Sequence, residues 1–208
     1  MMKIIDISWP ISQATTGYKD KSIVKFETRK TIDKDGVRET TIQLDSHTGT
    51  HVDAPAHFLR DGKTIDQVSL DLLVGSAKVI DCVTVSEKIT FEFLQEQAIE
   101  EGDIILFKTI NSQTAANDKF TPHFIYLDIS GAEYLSKKRI KAVGIDYLGI
   151  ERDQKGHLTH LELMKHNITI IEGLRLEPVK PGKYTLICLP LAVIGLEASP
   201  ARAVLIEE

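Results

Sequence analysis

Cysteine is nearly absent: the 208 residues contain two, Cys82 and Cys188. That excludes a disulfide scaffold. Both thiols sit in apolar, strand-like runs, so each is expected as a buried free thiol rather than a metal ligand. Long apolar stretches are missing as well. Nothing approaches the roughly 20 residues that cross a bilayer, and Met1-Met2-Lys3-Ile4-Ile5-Asp6 lacks the apolar core of a signal peptide, so a cytoplasmic protein with no membrane partner is expected. Basic clusters are small. The largest is Lys137-Lys138-Arg139, which suits the negative end of a helix dipole, and with a net charge of −5 nucleic acid is not an expected partner. Repeats, low-complexity tracts and linker-like segments are absent too. The remaining composition, 42% hydrophobic and 26% charged, is that of an ordinary globular chain, and it reads as one domain over 1–208.

Against that plain background the run Asp45-Ser46-His47-Thr48-Gly49-Thr50-His51-Val52-Asp53-Ala54-Pro55-Ala56-His57-Phe58 concentrates three of the seven histidines and two aspartates. The Ala54-Pro55 step pushes the chain ahead of it toward extended geometry. Residues two apart in an extended segment share a face, so His51 and Asp53 aim together while Val52 faces away. Thr48-Gly49-Thr50 lets the chain turn so that His47 joins them. Two neutral imidazoles and a carboxylate are a common ligand set for zinc or a similar divalent ion. His57 follows after a proline kink, close enough to serve a bound water without being a ligand. The plainer reading is that histidines are mostly surface or satisfied core residues and that Asp53 makes a turn. The crowding of three imidazoles among small residues favours the metal. Ser46 adjoins His47, but neighbours in an extended chain face opposite ways and no nucleophile-elbow glycines surround it, so serine catalysis is not expected.

The pattern along the rest of the chain predicts a mixed α/β domain. Strands are expected over 3–8, 23–32, 37–45, 77–85, 103–109, 142–146, 168–171, 184–189 and 202–206, with Asp33-Lys34-Asp35-Gly36 turning a hairpin between the second and third. A short helical piece is expected over 70–73. Helices are expected over 91–100 after Thr90, over 131–138 capped by Ser130, and over 159–166 ended by Asn167. The polar stretch 111–121 reads as mobile. Strands alternating with helices argue against a sandwich.

Two later residues can complete a metal site. Glu172 ends a buried strand, where a carboxylate needs a partner and a cation is an efficient one. His160 lies early in its helix above Leu163 and Met164 and points inward, which by itself is more often a core histidine.

The segment from His47 to Phe58 resembles the His-x-Gly-Thr-His-x-Asp-x-Pro-x-His-Phe signature of the cyclase-like metal-dependent hydrolases, whose members include arylformamidases and isatin hydrolases. Asp6-Ile7-Ser8 with Pro10-Ile11-Ser12 is similar to that family's opening. Val143-Gly144-Ile145-Asp146, Ile171-Glu172-Gly173-Leu174, Leu189-Pro190-Leu191 and the run from Ala198 to Val204 are similar to its closing half. The resemblance implies a swivelling β/β/α fold built on a mixed sheet, commonly dimeric. It implies one ion on His47, His51 and Asp53, with Asp53 bridging to a second on His160 and Glu172, and His57 as proton donor and acceptor. It implies zinc, as in the formamidases, or manganese, as in some relatives, and hydrolysis of an amide-type C–N bond in a small molecule, linear or in a small ring. One departure stands out: where formamidases typically carry Pro-Gly-Asp near a substrate-contacting aromatic, this chain has Thr16-Gly17-Tyr18-Lys19-Asp20-Lys21. Tyr18 is the nearest candidate for that aromatic, and Phe58 the candidate second wall. The rival from another class is a metal-stabilised binding protein without turnover. Structural zinc sites are usually closed by four ligands, often cysteines, and a histidine left over beside the set favours catalysis.

Overall fold

A run such as Ile104-Ile105-Leu106-Phe107 has no polar face, so a strand made from it must be covered on both sides. The computed structural model of the chain, which describes residues 2–21 and 23–207, meets that demand with a closed sheet packed on helices. The strands in chain order are β1 (Lys3–Asp6), β2 (Val24–Lys30), β3 (Glu39–Leu44), β4 (His51–Asp53), β5 (Val74–Asp81), β6 (Lys88–Ile89), β7 (Ile104–Lys108), β8 (Tyr126–Leu127), β9 (Ala142–Ile145), β10 (Thr169–Glu172), β11 (Gly182–Pro190) and β12 (Ala198–Glu207). The helices are α1 (Ile32–Asp35), α2 (Phe91–Leu94), α3 (Ile129–Lys138) and α4 (Leu158–Lys165).

The main sheet runs β1-β12-β11-β5-β7-β9-β10-β4, and β4 also pairs with β12, which closes the sheet into a barrel. Neighbours among β5, β7, β9 and β10 are parallel; the other pairs are antiparallel. Closure works because β12 is long: Ala198–Pro200 pairs with β4, and Val204 to Glu207 pairs with β1. Alternation along the parallel strands then builds two cores. Ile104, Leu106, Ala142 and Ile171 belong to one with Val79, Leu186 and Leu205, in the barrel interior. Ile105, Phe107, Val143 and Ile170 belong to the other with Leu135 of α3 and Leu163 and Met164 of α4. A third, smaller cluster of Trp9, Phe124, Tyr126, Tyr147 and Leu148 gathers the aromatics.

Several expected elements differ. The helix expected over 91–100 is the single turn α2. Leu94 and Ile99 are both buried in the same core, and a five-residue step does not keep two residues on one helical face, so the chain unwinds after Gln95. Helix α3 is capped by Asp128, whose carboxylate accepts from Ser130 N, and not by Ser130. Strand β5 starts and ends earlier than expected, at Val74 and Asp81. The hairpin turn contains the helical turn α1, closed by Gly36 at φ +70°. The stretch expected to be mobile begins as a one-turn helix over Ile110–Gln113 whose Asn111 and Ser112 are buried. Its polar side chains face inward: Asn111 bonds both backbone groups of Ile125. Among the described residues no helix is long and apolar enough to cross a membrane.

Candidate metal centre

β4 is three residues long and fully buried, and its position between β10 and β12 decides the site. In the antiparallel register His51 stands opposite Glu172 on one side and Pro200 on the other. Alternation then sends Val52 into the barrel core and His51 and Asp53 to the opposite face, as the extended reading required. The turn before β4 is held tightly. Gly49 sits at φ +64°, and Thr50 Oγ1 donates to Gly173 O and accepts from Trp9 N.

The side chains converge. His51 Nε2 is 3.5 Å from Asp53 Oδ1 and 3.4 Å from Glu172 Oε2. His47 Nδ1 lies 3.0 Å from Asp53 Oδ1. His160 Nε2, from the first turn of α4, lies 3.7 Å from Asp53 Oδ2 and 3.5 Å from Glu172 Oε1. Donor atoms of His51, Asp53 and Glu172 fall within 4.8 Å of one another, and so do those of His47, Asp53 and His57. The five residues expected as ligands are therefore together, with the His57 ring 4.3 Å from that of His47.

Their electrostatics are those of a site built for positive charge. His51 Nε2 and both oxygens of Asp53 are buried without a hydrogen-bond partner. Orphaned buried atoms of this kind are costly unless something fills the gap, and here every orphan is a good ligand for a divalent cation. His51 Nδ1 faces Gly49 O at 3.0 Å, so in the neutral ring the proton stays on that nitrogen and Nε2 is the one free to bind a cation. Burial pulls the His51 pKa down, but Glu172 and Asp53 outweigh it and hold it up at about 9. Burial likewise opposes charge on Asp53, yet His160 and His47 hold that carboxyl well below the usual carboxylate range. In Glu172 burial and the nearby Asp53 push upward, and His160 and His51 prevail, holding it at about 2. His57 behaves differently. Burial lowers its pKa, Asp53 opposing only in part, so the ring is neutral near pH 7 with a lone pair to use.

A cavity of about 340 Å³ opens over this cluster, lined by Tyr18, Phe58, Leu148, Gly149, Glu151, Asp153 and His157 besides His47, His51, His57, His160 and Glu172. Tyr18 and Phe58 thus both reach it as expected. Burial, with help from Asp153, pushes the Tyr18 phenol up to about 12, so it stays a hydrogen-bond donor. Gly149 keeps the wall thin: a Cβ there would stand 3.2 Å from the Tyr18 ring.

A family model described as putative cyclase matches residues 5–152. The chain belongs to the cyclase family. Kynurenine formamidase of Bacillus cytotoxicus is 33% identical over 203 residues, 97% of this chain and 96% of its own. Among solved structures, a predicted metal-dependent hydrolase from Bacillus stearothermophilus superposes with a TM-score of 0.90 at 40% identity, covering 100% of both chains. Isatin hydrolase A from Ralstonia solanacearum superposes with a TM-score of 0.87, covering 100% of this chain and 92% of its own, but at 21% identity the likeness is one of fold.

Within this cyclase-family site, sequence reasoning missed three residues. Glu197, just before β12, has Oε1 3.4 Å from His47 Nε2 and takes the Ser46 hydroxyl. Glu151 and His157 stand behind and beside His160, with Glu151 Oε1 2.5 Å from His157 Nδ1. All three lie in loops, where no periodicity marks an inward-facing acid. The available signal was weak: Glu151 directly follows the apolar Ile150, and His157 falls three residues before His160.

Proposed function

We propose that this cyclase-family chain is a metal-dependent hydrolase that cleaves an amide-type C–N bond in a small molecule, an N-formyl arylamine such as N-formylkynurenine or a related cyclic amide. The observation that carries the reading is the set of orphaned buried donors, His51 Nε2 from a residue lining the cavity and both Asp53 oxygens packed next to it, beside a neutral histidine. Near-full-length similarity to kynurenine formamidase supports the substrate class.

In this reading His47, His51 and Asp53 hold one ion, and Asp53, His160 and Glu172 hold a second; zinc is the first choice, manganese the next. A divalent cation held there supplies charge that polarises a carbonyl and lowers the pKa of water by several units. The chain's own residues do the rest. His57, neutral and unpaired with a carboxylate, accepts a proton from water and returns it to the leaving nitrogen, a service worth on the order of 10²–10⁴ in rate. Tyr18 and Phe58 flank an aromatic ring over the cluster, with the Tyr18 hydroxyl as donor. The buried carboxylates keep their charge, so the cation is not lost to their protonation near neutral pH.

The test joins metal content to turnover. Reconstituted protein is expected to retain divalent metal by elemental analysis and to hydrolyse N-formyl arylamines more readily than lactones or isatin-like lactams. His57→Ala is expected to keep its metal and lose about 10²–10⁴ in kcat, whereas Asp53→Ala loses metal and activity together. Reconstituted protein that holds no ion overturns the reading. Metal loss in His57→Ala equal to that in Asp53→Ala makes His57 a ligand instead.

The same proposal takes the chain as one domain acting in the cytoplasm, where its two buried free thiols need no oxidising partner. It also takes it as a homodimer. What supports the dimer is the β2–β3 hairpin, whose one face is apolar and exposed at Phe26 and Ile42.

A further inference from the structure

The dipeptide Ile150-Glu151 touches two of the three residues that the proposed function gives to the second ion, Glu172 and His160. Ile150 N donates to Glu172 Oε1 at 2.6 Å. Glu151, 3% exposed, reaches the opposite way, to the first turn of α4. There Oε2 accepts from Thr159 N at 3.1 Å and from His160 N at 3.3 Å. The residue at the start of α4, His157, offers no side-chain cap of its own, so Glu151 satisfies these helix donors from outside. With Oε2 fixed, Oε1 is directed at two imidazoles, 2.5 Å from His157 Nδ1 and 3.3 Å from His160 Nδ1. His160 Nδ1 is buried and makes no hydrogen bond of good geometry, and the Glu151 carboxylate oxygen 3.3 Å away stands ready to accept its proton.

We propose that Glu151 is a positioning residue for metal binding: it holds the proton of His160 on Nδ1, so that Nε2 is left as the free donor facing Asp53 and Glu172. The inference rests on the reading of His160 as a ligand and goes beyond it. A neutral imidazole carries one ring proton, and only the nitrogen without it binds a cation. An ionised carboxylate accepts and never donates, so its place beside Nδ1 selects the tautomer. Oxygens that fix a metal-binding histidine in this way typically contribute 10–100-fold in metal affinity. The geometry also gives the carboxylate a reason to be glutamate and not glutamine. A glutamine amide oxygen can still serve the α4 backbone donors, but its NH₂ then meets Nδ1 and drives the proton to Nε2, toward the ion.

The experiment uses the full chain, stripped of metal and titrated with Zn²⁺ and Co²⁺ against a competing chelator. Glu151→Gln is expected to weaken one class of site by about 10–100-fold and to change the Co²⁺ absorption bands, while the metal-free variant melts close to wild type. Glu151→Asp, which keeps two accepting oxygens, is expected to recover most of the affinity. In the Zn²⁺-loaded wild type, imidazole ¹⁵N shifts of His160 are expected to report a proton on Nδ1 and none on Nε2, a readout that stands even if the glutamine variant does not fold. Wild-type affinity and Co²⁺ spectrum in Glu151→Gln, equal losses in the Gln and Asp variants, or an Nε2–H His160 each overturn the inference. His160→Ala separates the two levels. If it binds as many ions as tightly as wild type, the ligand reading itself fails; if it loses an ion that Glu151→Gln binds at wild-type affinity, only the role of Glu151 fails.

Discussion

Asp53 and Asp146 are the same residue type at nearly the same burial, and their surroundings drive them in opposite directions. Imidazoles around Asp53 hold it low. Asp146, at the end of β9, meets only neutral donors: Thr109 N and Ser112 Oγ on Oδ2, and Thr109 Oγ1 on Oδ1. Burial outweighs them and pushes its pKa from 3.8 up to about 6. Burial lowers the Arg175 pKa with Asp146 opposing in part, and among the described residues Arg175 forms no salt bridge to Asp146. The consequence is a pH dependence of stability with a definite sign. Between pH 4 and 6 the native state binds more protons at Asp146 than the unfolded chain does, so its contribution is fully favourable below about 4 and is lost as pH rises through about 6. A shift of about two units amounts to roughly 3 kcal/mol. Subtracting urea-unfolding free energies of Asp146→Asn from wild type across pH 4–8 is expected to show wild type losing ground up to about pH 6 and then a plateau. A pH-independent difference contradicts the argument. The variant is a fair control, because an asparagine can keep accepting from Thr109 N.

At the scale of elements the site depends on a place where two backbones nearly touch. Gly173 follows β10 at φ +69°, and a Cβ there would overlap the Gly49 carbonyl in the turn that carries His47 and leads to His51. Left-handed geometry costs a non-glycine about 1–2 kcal/mol, and the overlap adds to it. Gly173→Ala is therefore expected to lower stability by more than about 2 kcal/mol and to weaken metal binding, since β10 and the turn before β4 must separate. Calorimetry with and without metal checks this; an unchanged melt means the contact is not needed. The same contrast between near and far in sequence governs what was legible beforehand. His51 and Asp53 are two residues apart on one extended strand, so their shared face follows from period alone. Glu172 was legible as a charge ending an apolar strand. Glu151, His157 and Glu197 reach the site from loops through tertiary contacts, which no local pattern encodes. The helix expected over 91–100 failed for a related reason: its apolar residues fit a helix locally, but the core needed both Leu94 and Ile99.

On the whole molecule, the barrel and its helices bury most of the apolar residues of the main sheet, but the β2–β3 hairpin keeps one apolar face uncovered. Val24 pairs with Leu44 and Phe26 with Ile42 on one side, while Lys25 with Gln43 and Glu27 with Thr41 occupy the other. This is the alternation of a sheet with a core face, yet Phe26 is 38% and Ile42 60% exposed. An amphipathic hairpin with its apolar face in water marks an association surface, and the homodimer proposal assigns the cover to a second copy. Phe26→Lys with Ile42→Glu tests it without breaking the hairpin, because the two new side chains stand directly opposite and carry opposite charges. Neither side chain belongs to the buried cores, so the melting temperature of the barrel is expected to stay nearly constant. Sedimentation velocity should then find dimers in the wild type and monomers in the double variant. A double variant that remains dimeric moves the interface off the hairpin, and a monomeric wild type removes the dimer altogether.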